Sequence, residues 1–102
     1  MKACCETYLN GQFAGEREII DEIYSEYVKS IDEKLTEAEQ ALAARSWGAL
    51  DRAAHTIKGN ALAVGDTEMA ETAIELRTCS QLSDVERSAE LIAMLRGFST
   101  TL

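Results

Sequence analysis

His55 is the only histidine in this 102-residue chain, and Lys58 and Gly59 follow it at the spacing of one helical turn. A neutral imidazole is a competent nucleophile near neutral pH. A lysine one turn away adds a flexible point charge suited to anionic oxygens. The apolar residues around them, Leu50, Ala54, Ile57, Ala61 and Val64, recur at helical spacing and mark a buried stripe. With successive residues about 100° apart, His55 falls well round from that stripe and points outward. Arg52, Gly59 and Leu62 share its side at steps of three and four, and Lys58 lies near the flank. A lone exposed histidine is ordinarily just a surface residue, and a single exposed leucine is unremarkable. The glycine is harder to dismiss. Inside a helix it costs ~1 kcal/mol relative to alanine, and close backbone approach by another molecule is one reason to keep it.

The helix carrying these residues is expected to start after Ser46, a good N-cap, with Trp47 as its anchor, and to close at Gly65. Ahead of it, Ile20, Tyr24, Tyr27, Ile31, Leu35, Ala38 and Leu42 recur at steps of three and four. That pattern predicts a long amphipathic helix from about Glu16 to Ala44. Met1 to Asn10 is expected to form a short helix ended by Asn10-Gly11. Downstream, Asp66 or Thr67 starts a helix that turns Met69, Ala73 and Leu76 inward. Ser83-Asp84-Val85-Glu86 has the form of a capping box and introduces a last helix with Leu91, Ile92, Leu95 and Phe98 on its inner face. The expected fold class is all-α: an antiparallel four-helix bundle over residues 1–102, one end closed by a short additional N-terminal helix. Tyr24 and Tyr27 should sit in the core or at its boundary, with their hydroxyls reaching the surface. Cys79 reads as a small buried or flanking side chain near a helix end, and Cys4 and Cys5 as exposed.

Composition narrows the chemistry. Ten basic against eighteen acidic residues give a formal charge of −8, the wrong sign for neutralising nucleic-acid phosphates. Three cysteines without CxxC spacing, beside a single histidine, support neither a disulfide framework nor a zinc site, so no metal is expected on this chain. No apolar run approaches the length of a membrane span, and the first residues lack the apolar stretch of a signal peptide. A cytoplasmic protein without membrane contact is expected.

The run Ala54-His55-Thr56-Ile57-Lys58-Gly59-Asn60-Ala61-Leu62-Ala63-Val64-Gly65 resembles the signature of histidine phosphotransfer (HPt) domains of two-component phosphorelays. The shared pattern is a histidine followed by a lysine and a glycine one turn on, then a small residue, with a second glycine ten positions after the histidine. Ser46-Trp47 before the motif and the Ile74-Glu75 step after it stand where such domains carry comparable residues. The resemblance implies that His55 is phosphorylated on its outward nitrogen. It also implies that Lys58 steadies the phosphoryl oxygens or orients an acidic partner, and that Gly59 clears the approach of that partner. Arg52, Asn60 and Leu62 would complete the docking face. The implied partners are receiver domains of response regulators or hybrid histidine kinases, which would bring the acceptor aspartate and a magnesium ion. No glycine-rich phosphate loop is present, so a phosphoryl carrier is expected and an autonomous kinase is not. A helical adaptor that docks on a receiver without chemistry is a second reading, against which the joint presence of His55, Lys58 and Gly59 counts. The isolated phosphoacceptor domain of a chemotaxis-type or hybrid kinase is a third. Met1 and the completeness of the bundle favour a free-standing protein.

Overall fold

Every connection in the chain is three residues long and turns on a left-handed residue. The computed structural model, which describes residues 1–102, contains α1 (Ala3–Phe13), α2 (Arg17–Ala43), α3 (Trp47–Ala63), α4 (Thr67–Gln81) and α5 (Val85–Ser99). Ala14, Arg45, Gly65 and Ser83 each take a positive φ just after a helix. Three of the reversals close alike: the N–H of Ser46 donates to Ala41, that of Asp66 to Ala61 and that of Asp84 to Cys79, at 2.9–3.0 Å. This six-residue closure satisfies carbonyls that the helix ends would otherwise leave open. Such short reversals lay consecutive helices antiparallel.

Four helices form a ring in which α2 packs on α3, α3 on α4, α4 on α5 and α5 back on α2. The result is an antiparallel four-helix bundle 43 Å long and about 20 Å across. The stripe expected on α2 is buried from Ile20 to Ala38, while Leu42 is half-buried and Ala41 takes the interior place beside it. On α3 the residues Leu50, Ala54, Ile57, Ala61 and Val64 are all interior. Met69, Ala73 and Leu76 on α4 meet Leu91, Ile92 and Leu95 on α5, with Phe98 and Trp47 packed half-buried against them.

Several local expectations are corrected. The first helix runs through Gly11 to Phe13 and stops where Ala14 and Gly15 turn left-handed. A glycine inside a helix weakens it without ending it. Ser46 occupies the N-cap of α3 but makes no side-chain capping bond. The cap of α5 is Asp84, whose carboxylate accepts from the Arg87 N–H, while Ser83 is the left-handed turn residue before it. Cys5 is fully buried, unlike its neighbour Cys4.

The tyrosine hydroxyls also turn inward. Tyr27 donates to Asp66 Oδ2 at 2.6 Å, and Tyr24 donates to the Leu102 carbonyl while accepting from the Lys2 N–H. Asp66 caps α4 by accepting from the Met69 N–H at Oδ1, and Lys2 Nζ reaches the same Oδ1 at 2.8 Å. A fully buried carboxylate is expensive unless paired and hydrogen-bonded. Here three donors surround it. The same end holds Gly65, where an added Cβ would lie 2.5 Å from the Cβ of Tyr8 on α1. The first helix is thereby seated against the end of α3.

Candidate functional site

The interior stripe of α3 fixes what the helix shows to solvent. With Ala54 and Ile57 fully buried, His55 is exposed between them, and Gly59 and Leu62 follow on the same side, also exposed. A Cβ at Gly59 would meet nothing within 4 Å. Lys58 is half-buried at the flank and takes part in none of the ion pairs of the molecule. Arg52 lies one turn before His55, exposed, beside a shallow depression it shares with Lys34 and Glu37 of α2. Leu62 has half its surface exposed.

Asn60 departs from this set. Its side chain is half-buried and donates from Nδ2 to Ser30 Oγ of α2 at 2.6 Å. Five residues along a helix carry it well round from His55, so it ties α3 to α2 instead of lining the docking face expected for it.

The neighbouring helix adds a cation that sequence reasoning missed. Arg77 of α4 donates from Nη1 to His55 Nδ1 at 3.0 Å. Its other edge is held by Asp51, one turn before His55, with Nε at 3.1 Å from Oδ1 and Nη2 at 3.4 Å from Oδ2. Ser80 and Gln81 also donate to Asp51 Oδ1, at 3.5 and 3.4 Å. The hydrogen bonds from Arg77 hold the Asp51 carboxyl below the usual carboxylate range against the opposing effect of burial. Ser80 is itself buried and donates its hydroxyl mainly to the Arg77 carbonyl, at 2.7 Å. Arg77 stands 22 residues beyond His55, and only the packing of α4 on α3 brings the two together. Ile74, one turn before Arg77, is half exposed. The site is thus an exposed imidazole, one nitrogen occupied by an anchored guanidinium, with lysine and open space one turn further on. No group of three or more His, Cys, Asp or Glu side chains converges to hold a metal ion.

A family model for the Hpt domain matches residues 22–101, which takes in most of α2 and all of α3, α4 and α5. The chain belongs to the Hpt domain family. Hpt domains serve histidine phosphotransfer in two-component systems, as phosphoryl carriers that interact with receiver domains and not as kinases. The helix α1 and the start of α2 lie outside the match. No curated protein and no solved structure matches the chain. No helix of this Hpt domain is long and apolar enough to cross a membrane.

Proposed function

We propose that this Hpt domain is a phosphorelay intermediate that carries a phosphoryl group on His55 to and from receiver aspartates. The observation that supports it most is the exposed, singular imidazole of α3, with open space over Gly59 one turn away. Phosphoryl transfer depends mainly on alignment and on neutralising the moving charge. A convex helix face lets a receiver bring its aspartyl phosphate in line with the ring. The imidazole lone pair forms the P–N bond while the P–O bond breaks and the receiver recovers its carboxylate. Lys58 supplies positive charge from this chain. The receiver supplies the aspartate and the magnesium ion, and this chain takes no phosphate from ATP. Transfer of this kind belongs in the cytoplasm, among the kinases and response regulators it would connect.

The test is incubation with a panel of phosphorylated receivers and magnesium, followed by mapping of any label. Label is expected from a cognate receiver and not from ATP alone, and it should be acid-labile and base-stable. His55→Gln should abolish it with helical circular dichroism unchanged. Label that persists in this variant would move the assignment to another residue.

A further inference from the structure

Arginine carries five N–H donors and no acceptor, and it stays charged in proteins. The histidine nitrogen that meets it must therefore present a lone pair. In the contact between Arg77 Nη1 and His55 Nδ1, Nδ1 is the acceptor, and in the neutral ring the hydrogen sits on Nε2. The imidazolium form, with donors at both nitrogens, does not fit. The guanidinium is not free to drift, since Asp51 grips its Nε–Nη2 edge and leaves Nη1 aimed at the ring. Asp51 is in turn steadied by Ser80 and Gln81.

This geometry bears on both directions of transfer. A ring nitrogen attacks phosphorus through its lone pair, so an attacking Nε2 requires the hydrogen on Nδ1. That state is incompatible with Arg77 in place. The guanidinium must withdraw and the proton must pass from Nε2 to Nδ1 through water. Nε2 then bonds phosphorus as the P–O bond to the receiver carboxylate breaks, leaving a positively charged ring with hydrogen on Nδ1. Loss of that proton to water restores the lone pair on Nδ1, and Arg77 can return. Release runs in reverse: the ring leaves phosphorus readily only when Nδ1 has regained a proton. A donor fixed on Nδ1 opposes that protonation.

We propose that Arg77 is a positioning residue that retards loss of the phosphoryl group from His55 by keeping Nδ1 unprotonated. This rests on His55 being the carrier. On this view the anchored guanidinium fits both resting states, free and phosphorylated, and is displaced only during transfer. A docked receiver, being acidic, competes with Asp51 for it.

The test needs no receiver. Because the chain has one histidine, imidazole ¹⁵N labelling reports on His55 alone. In the wild type, Nδ1 should show the shift of a lone-pair nitrogen and Nε2 that of an N–H. In Arg77→Met the two shifts should move toward each other as the tautomers mix. Each protein is then phosphorylated with potassium phosphoramidate, in which the reagent's P–N bond breaks and ammonia leaves. The reagent is removed and decay of the label followed at neutral pH. Arg77→Met should lose phosphate roughly three- to tenfold faster, the size expected for one partly exposed hydrogen bond, and the difference should vanish in urea. Arg77→Lys keeps the charge but cannot hold Asp51 and His55 together, and should fall between them. If Arg77→Met does not fold, Arg77→Gln is read in the same way. Unchanged decay in the folded variant, with the label on His55, overturns the role of Arg77 alone. Label that survives His55→Gln instead removes the carrier reading, and this inference with it.

Discussion

At Gly59, stability and function should move in opposite directions. The residue lies inside α3, exposed, with no atom near the place of a Cβ. Nothing in the isolated fold asks for a glycine there. Gly59→Ala should therefore gain roughly 0.5–1 kcal/mol in unfolding free energy, from the lost backbone freedom of the unfolded chain. Gly59→Gln and Gly59→Glu should also fold, because their side chains project into water. Each nevertheless fills space one turn beyond His55. Transfer from a phosphorylated receiver should fall from Gly to Ala to Gln, with Glu lowest because it adds negative charge beside a phosphoryl group. Urea unfolding and transfer rates on the same four proteins decide the matter. A Gln variant that is as stable as expected and transfers normally would end the idea that Gly59 clears a partner's approach.

At the scale of the elements, what was legible in the sequence was whatever depends on one helix at a time. The stripe through Leu50, Ala54, Ile57 and Ala61 fixed the rotation of α3, and so the outward turn of His55, because periodicity is a local property. Arg77 and Asp51 were not legible: their pairing depends on how α4 rotates against α3, and no spacing within either helix encodes it. Asn60 was misplaced for a related reason, since its partner Ser30 lies on α2. Asp66 could be read as a helix start, but not as the meeting point of Lys2 and Tyr27, 64 and 39 residues away. Gly65 shows the same split. Its place after α3 is a common one for glycine, yet Arg45 and Ser83 fill the equivalent turns without being glycine. What singles out Gly65 is Tyr8, whose Cβ would stand 2.5 Å from an added methyl group. Gly65→Ala should lose about 2–3 kcal/mol, from left-handed strain together with overpacking. Adding Tyr8→Gly, which removes the Cβ as well as the ring, should recover the packing share, so the two changes should couple by at least about 0.5 kcal/mol in a double-mutant cycle. Strict additivity would show that α1 does not rest on this turn.

On the scale of the whole molecule, the two chain ends and three helices meet around Asp66, and this end of the bundle should set the response to alkali. Burial, with the charge of Asp66 second, pushes the Cys5 thiol from its ordinary 9.0 up to about 12. Burial also raises Tyr24, and raises Tyr27 with help from its hydrogen bond to Asp66. Lys2 is raised too: burial lowers it, but the hydrogen bond and charge of Asp66 outweigh that effect. All four groups hold their protons more tightly folded than unfolded. Their contribution is therefore complete below the unfolded values and is lost as pH climbs through the folded ones. Cys5 begins this loss at about pH 9, and the tyrosines and Lys2 join it from about pH 10. Each fully engaged group removes about 1.4 kcal/mol per pH unit. Urea unfolding free energies should accordingly be flat near neutrality, bend downward near pH 9 and steepen above 10. Cys5→Ala, whatever its stability at pH 7, should flatten most of the bend between about pH 9 and 10, because Cys5 carries the larger of the two thiol shifts in that window. Cys79 is raised as well, first by burial and then by the charges of Asp84 and Glu75, so Cys79→Ala serves as the control at the opposite end of α4. Should Cys79→Ala move the bend while Cys5→Ala leaves it in place, the alkaline weak point lies near the α4–α5 turn, and the network around Asp66 is not what fails first.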